Sequence, residues 1–299
     1  MITRVPVWID TDPTVLPGGY EVDDGFAIAL AFRSPELRVV GVSSIFGNGD
    51  IDCCHASAEA IVAAFGPIDM PVHRGAATPG DLHATPAAQA LIDAARRTVR
   101  PGLTILALGP LTNIAAALTL APDIAEQIAS IIWVAGRLPG QEFRASMQQT
   151  EAFADLNFEQ DVAAARIVLA SAVPIALTSW TVCSKVHLGR AEIARLGMAD
   201  AACSVLHGPA RDWLDLWRNQ FGLDYFMPFD TLAVGHASAS GAVSGFAGRA
   251  WIDPSSPPVL IAAPDHTAPA DARPVWFGTD AGDDFVETLM TRMTTPTSQ

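Results

Sequence analysis

Basic residues are scarce in this chain: 18 Lys and Arg stand against 32 Asp and Glu, giving a formal net charge of −14. Phosphate backbones are bound through Lys and Arg, so a chain this acidic is a poor candidate for a nucleic-acid partner. Cysteine is scarcer still. Cys53, Cys54, Cys183 and Cys203 form no CxxC pair, and neighbours such as Cys53 and Cys54 rarely bridge. Reduced thiols in a cytoplasmic protein are the expectation. Long apolar runs are missing too: Ile131 to Val134 is far too short to span a bilayer. The start, Met1-Ile-Thr-Arg-Val-Pro6, lacks the basic region and apolar stretch of a signal peptide. No membrane partner is expected.

What is present is a rhythm. Half of the 299 residues are apolar, enough for one large α/β domain or two modest ones. Short apolar runs predict strands over 5–9, 37–44, 103–107, 130–135 and 173–177. Amphipathic runs between them predict helices over 24–33, 52–65, 86–98, 111–120 and 159–170. Alternation of this kind predicts an α/β fold with a mainly parallel central sheet flanked by helices. The last 120 residues read differently. Residues 190–220 look helical, with Trp213 and Trp217 one turn apart. Short strands follow near 248–252, 258–262 and 274–277, then a final helix from about 282 to 292. The Pro- and Ala-rich stretch 253–274 reads as surface loop around a short strand. Without a repeat, charge block or linker, a single domain over 1–299 is expected, with a disordered tail over 294–299.

Chemistry concentrates at the first strand. Val5-Pro-Val-Trp-Ile-Asp10-Thr-Asp12 ends in two acids that share a face of the strand. Ten residues later Val22-Asp23-Asp24-Gly25 opens an apolar helix. Four crowded carboxylates repel one another unless a cation or a substrate neutralises them, which makes this a candidate metal site. Ligands of parallel sheets collect at the carboxyl ends of strands, where Asp10 and Asp12 fall. Phe46-Gly47-Asn48-Gly49 follows the second strand. Leu106-Ala-Leu108-Gly-Pro-Leu-Thr-Asn113 joins a strand to a helix, and its Gly-Pro can aim a carbonyl outward. Asp155-Leu-Asn157-Phe158 precedes a helix, and Pro228-Phe229-Asp230-Thr231 opens another. Each has a plainer reading. Asp23, Asp24 and Asp230 suit helix N-termini, Asn48 suits a turn, and Gly109-Pro110 suits a helix entry.

Taken together and in this order, the segments resemble the nucleoside hydrolase family, the inosine–uridine type of N-ribohydrolases. That family opens with DxDPGxDD. It continues with an AGN-like turn, LGPLTNIA, an E-F-N segment followed by DPEAA, and a late His-Asp pair. The matching residues here are Asp10-Thr-Asp12-Pro13, Val22-Asp-Asp-Gly25, Phe46-Gly-Asn48, Leu108 to Ala115, Asp155-Leu-Asn157 with Asp161, and Phe229-Asp230. The resemblance runs from about residue 5 to 240 and implies a Rossmann-like core. It implies calcium-dependent hydrolysis of the N-glycosidic bond of ribonucleosides, giving free base and ribose. Carried over by position, Asp12, Asp24, Asp230 and the Leu108 carbonyl are the expected Ca²⁺ ligands. Asp12 is also the expected general base. Asp23, Asn48, Asp155 and Asn157 are expected on the ribose, with Asp10 in support. A homodimer or homotetramer is also implied. An all-oxygen ligand set suits a hard cation, and a metal-held water beside a carboxylate suits an oxocarbenium-like glycosyl transfer.

The chain departs from the pattern in four places. The insertion after Asp12 is seven residues longer than usual, as in a subgroup with a stretched first motif. Its Pro17-Gly18-Gly19 marks a flexible loop, expected over the site. Phe229 stands where many relatives carry the His that protonates the departing base, and Phe transfers no proton. Other candidates for that proton are His83, Trp180, His187, Tyr225 and His236, and His83 falls where some relatives have an active-site His. Asp155 is one methylene shorter than the family's Glu. Gln149 replaces the Asn expected to meet the ribose 5′ hydroxyl. Alternatives are another N-riboside as substrate, or a calcium- and ribose-binding relative with little turnover.

Overall fold

Residues 4–16, 21–99, 102–238 and 242–295 are described in this computed structural model. The strands are β1 (Val5–Thr11), β2 (Leu37–Ser44), β3 (Val72–Arg74), β4 (Leu103–Ala107), β5 (Ile128–Trp133), β6 (Ile175–Leu177), β7 (Leu188–Gly189), β8 (Tyr225–Phe226), β9 (Val243–Asp253), β10 (Val259–Ala263) and β11 (Arg273–Ala281). The helices are α1 (Asp23–Arg33), α2 (Ile51–Phe65), α3 (Pro86–Arg97), α4 (Thr112–Leu120), α5 (Leu156–Glu159), α6 (Val162–Ala170), α7 (Trp180–Cys183), α8 (Arg190–Gly197), α9 (Ser204–Phe221), α10 (Thr231–Ser238) and α11 (Phe285–Thr294). None of the described helices is long and apolar enough to cross a membrane.

Nine strands form one sheet in the order β10-β9-β11-β6-β5-β4-β1-β2-β3. From β3 across to β11 every neighbouring pair is parallel. Only β9 is reversed, pairing antiparallel with β11 on one side and with the edge strand β10 on the other, and β7 and β8 pair separately. The chain moves outward from β1 to β2 and β3, then crosses back to lay β4 on the other side of β1. That reversal opens a crevice at the carboxyl ends of β1 and β4, the usual ligand position in such sheets.

Local sequence explains the central elements. Val7, Trp8 and Ile9 of β1 are buried on both faces, as expected of a strand sandwiched between helix layers. Two apolar clusters cover the two faces of the sheet. One gathers α1, α9, α10 and α11, and the other gathers α3, α4 and α6. Helix starts are fixed by side chains that accept backbone N–H groups. Asp50 accepts from Cys53 N at 2.8 Å and Asp161 accepts from Ala164 N at 2.9 Å.

Some boundaries differ from expectation. The predicted 190–220 helix breaks in two after Gly197, which lies so close to the His207 ring that a Cβ would fall 2.5 Å from its Nε2. Asp200, in the break, is tied to Arg33. The predicted 159–170 helix is likewise interrupted, because Asp161 caps a fresh start. β9 is longer than the predicted 248–252. Gly245 and Gly248 hide its alternation, and a Cβ at Gly248 would meet the Ala263 carbonyl at 2.5 Å. β3 is only three residues long and left no readable pattern. Of the tail expected over 294–299, Thr294 ends α11, and 296–299 lie outside the described residues.

Candidate active site

Asp12 stands just past the end of β1, 1 % exposed, and its two oxygens have different fates. Oδ2 accepts the backbone N–H of Asn48 at 2.7 Å. Oδ1 is buried with no partner among the described residues. Two glycines let the chain come this close. A methyl group on Gly47 would overlap the Asp12 carboxylate, and one on Gly109 would sit 2.8 Å from Oδ1. Asp24, on the first turn of α1, accepts from the Thr11 hydroxyl, from Asp12 N at 3.2 Å and from Asn48 Nδ2 at 3.2 Å. Asp230, just before α10, is hydrogen-bonded to Asp24 through their carboxyls. Asp23 accepts the backbone N–H groups of Phe229 and Asp230. It therefore ties the α10 entry to the start of α1, which has no side-chain cap.

Asp10 lies beneath these residues. Ser43 Oγ and Asn113 Nδ2 (2.8 Å) donate to it, while Asn113 also holds Ser44 O and Ala76 N. Asp10 thus locks the ends of β1, β2 and α4 together and does not line the cavity.

Sequence reasoning missed Glu21. It is buried, and one oxygen from each of Glu21, Asp23 and Asp24 lies within 4.8 Å of the others, close enough to hold a metal ion. Glu21 Oε1 accepts Thr14 N at 2.9 Å and Oε2 accepts Asp24 N at 3.4 Å, closing the base of the lengthened loop. The signal was an acid two places before the Asp pair, where the family motif has Gly. The loop's tip, Pro17 to Tyr20, lies outside the described residues.

So many buried acids lift one another's pKa. Burial pushes Asp24 up to about 7 with help from the Asp23 charge. Burial and neighbouring carboxylates hold Asp12, Glu21 and Asp230 well above the usual range. Asp10 is raised by burial to about 6. Ionising such a group without compensation is costly. An orphaned carboxylate oxygen inside a ring of acids is the environment a hard cation relieves, and the donors available are all oxygen. The residues present therefore fit a metal ion.

Beside the acids lies a cavity of about 260 Å³. Glu21, Asp23, Asn48, Leu108, Asp155, Asn157 and Asp230 line it. Asn157 donates its amide group to Leu108 O at 2.7 Å and Val134 O at 3.0 Å. The Leu108 carbonyl keeps a second lone pair for a ligand. Asp155 accepts Gly136 N at 2.8 Å, and burial raises it to about 7. Thr178, at the end of β6, was also missed. Its buried hydroxyl faces the cavity without a partner.

Asp12 and Asp24 are one contact back from this lining, both bonded to Asn48, and several other expected residues do not line the cavity. The His83 side chain is 93 % exposed and pairs with Asp81 at 2.7 Å. Gln149 spends its amide inside its own loop, on Ala145 N at 2.7 Å and Glu151 O at 2.7 Å. His187 stacks on Tyr225, ring centroids 3.8 Å apart, and His236 stacks on Trp276 at 4.1 Å. None of these lines the cavity. Of the proposed proton donors only Trp180 does, 5.6 Å from the Phe229 ring.

Residues 7–258 match the sequence profile described as "Inosine-uridine preferring nucleoside hydrolase". The chain belongs to that family. It is similar to uridine nucleosidase 1 of Arabidopsis thaliana, 26 % identical over 235 residues, covering 69 % of this chain and 66 % of the relative. It spans just under two thirds of the length of the first curated relatives it matches. Its fold is similar to a plant nucleoside hydrolase, with a TM-score of 0.83 at 22 % identity over 98 % of this chain and all of that one. A purine-preferring ribonucleoside hydrolase from Gardnerella vaginalis gives a TM-score of 0.81 at 21 % identity, over 97 % of this chain and 98 % of the other. These nucleoside hydrolase neighbours share the large, mainly parallel sheet between helix layers, and the crevice beside β1 and β4 is where the acids collect.

Proposed function

We propose that this chain is a calcium-dependent N-ribosyl hydrolase that splits ribonucleosides into base and ribose. The observation that carries this is Asp12: one oxygen is fixed by Asn48 N and the other, buried beside Asp24, is unpartnered. Asp12, Asp24, Asp230 and Leu108 O would hold the ion. Glu21 borders that set, with its oxygens accepting Thr14 N and Asp24 N and one of them close enough to Asp23 and Asp24 to share a metal ion. Bound calcium supplies charge for the acids, a grip on the sugar diol and a more acidic water.

The chain's own residues do the rest. Asp12 accepts the proton of the attacking water. Asp23, Asn48, Asp155 and Asn157 meet the ribose hydroxyls and favour the flattened, oxocarbenium-like sugar. The aromatic side of the cavity takes the base and keeps water away from it. His83 and Gln149 have no part in this reading. Four free cysteines suit a cytoplasmic setting, and a homodimer or homotetramer is the assembly to look for by sedimentation.

Reducing-sugar release from a panel of nucleosides tests the proposal. Release that disappears in Asp12→Ala, with wild-type calcium binding seen by calorimetry, supports it. A chain that binds no calcium sinks it. Phe229 favours one second reading, a calcium- and ribose-binding relative with little turnover. That reading requires ribose binding without release from any nucleoside.

A further inference from the structure

The wall of the cavity that is not carboxylate is aromatic. Phe143, Phe153, Trp180, Trp217, Phe221 and Phe229 all line it. Their rings touch in series. Phe143 stacks on Trp180 at 5.0 Å with an 11° interplanar angle. Trp180 meets Phe229 at 5.6 Å, and Phe153 meets Trp217 at 6.1 Å and Phe221 at 5.1 Å. This wall already holds one cation: the Arg137 guanidinium carbon lies 4.2 Å from the Phe143 centroid. The ionisable groups lining the cavity are four carboxyls and one thiol, and the described lining has no Lys, Arg or His. The Cys183 thiol donates to Thr178 O and Phe229 O and is held well above its usual pKa by burial. Asp155 accepts Gly136 N through Oδ2 and has its other oxygen for the ribose.

Flat π faces in a lining free of Lys, Arg and His suit a flat cation. A neutral purine or pyrimidine leaves as an anion unless something protonates it, and position 229 offers a benzene ring. A riboside whose ring nitrogen is already cationic has no such need. Its C1′–N bond breaks with the electron pair going to that nitrogen, and a neutral heteroaromatic departs. The oxygen of water bonds to C1′ and its proton passes to Asp12. Atoms and charge then balance without a leaving-group acid.

We propose that the preferred substrates are N-ribosylpyridinium compounds, whose cationic ring sits against the Trp180 and Phe229 rings. This rests on the hydrolase reading above and names its substrate class.

The test compares kcat/KM for nicotinamide riboside, inosine and uridine on the calcium-loaded protein. We expect nicotinamide riboside to be favoured at least tenfold. Inosine or uridine hydrolysed as fast or faster overturns this proposal and leaves the hydrolase reading standing. No ribose from any of the three overturns the hydrolase reading and this proposal with it. A second readout does not depend on turnover. 1-Methylnicotinamide, a cation, should quench tryptophan fluorescence at concentrations at least tenfold lower than neutral nicotinamide. Equal affinities contradict the cationic site. Trp180→Leu should weaken that cation's binding at least fivefold, and Phe229→Leu serves should the first variant fail to fold. Unchanged binding in a folded variant places the cation elsewhere and overturns the assignment.

Discussion

Asn48 donates its backbone N–H to Asp12 Oδ2 at 2.7 Å, so the carboxylate presents its other, unpartnered oxygen in one fixed direction. That contact depends on Gly47, where any side chain would run into Asp12. Gly47→Ala should therefore displace Asp12 or the turn. We expect ribose release to fall at least a hundredfold and calcium affinity at least tenfold. Kinetics and calorimetry check both, and a variant with wild-type values in each would show that the contact is dispensable.

The buried acids also set a pH dependence. Asp10 is raised from 3.8 to about 6, and Asp24 and Asp155 to about 7. Each binds its proton more tightly in the folded chain than in the unfolded one. Their contribution to stability is full below about pH 4 and is lost as pH rises through about 6 to 7. The metal-free protein should lose several degrees of Tm between pH 5 and 7.5. Calcium should stabilise more at pH 7.5 than at pH 5, because it binds the deprotonated acids. Melting curves with calcium and with chelator read this directly. A metal-free Tm that holds steady or climbs across that range contradicts it.

Glu21 ties the base of the lengthened loop to the site through Thr14 N and Asp24 N. Glu21→Ala strands both N–H groups, at a cost of about 1–3 kcal/mol each where buried. We expect a lower Tm and a KM for riboside raised at least fivefold. Glu21→Gln, which keeps an acceptor for one of the two N–H groups, should recover part of both. Kinetics on the two variants decides between a positioning role and none.

Phe229 precedes the last site acid and packs against Trp180. An imidazole there would supply the missing proton, and general acids are worth roughly 10²–10⁴ in rate. Phe229→His should raise kcat on inosine at least tenfold and change kcat on nicotinamide riboside far less. A parallel change on both substrates would show that protonation is not what limits inosine.

The sequence carried the site's acids because each sits where chain pattern changes. Asp10 and Asp12 end an apolar strand, while Asp24 and Asp230 open apolar helices. Leu108 was legible for the same reason, as the residue between β4 and Gly109-Pro110. Glu21 was not, because its role exists only when the loop closes onto Thr14. Thr178 follows a strand that was legible over 173–177, but nothing in the sequence marks its hydroxyl, whose importance comes from the cavity it faces. The aromatic wall draws on Phe143, Phe153, Trp180, Trp217 and Phe229, spread over some 90 positions that only the fold brings together. His83 and Gln149 misled by position: one turned to solvent, and the other was captured by its own loop.

The central claim is that Asp12, through calcium, drives hydrolysis of an N-riboside. Ribose release from nicotinamide riboside and from inosine, measured before chelation, after it and after calcium is restored, tests this most directly. Release should vanish with chelator, return with calcium and never appear in Asp12→Ala. Release that survives chelation, or persists in Asp12→Ala, would contradict it.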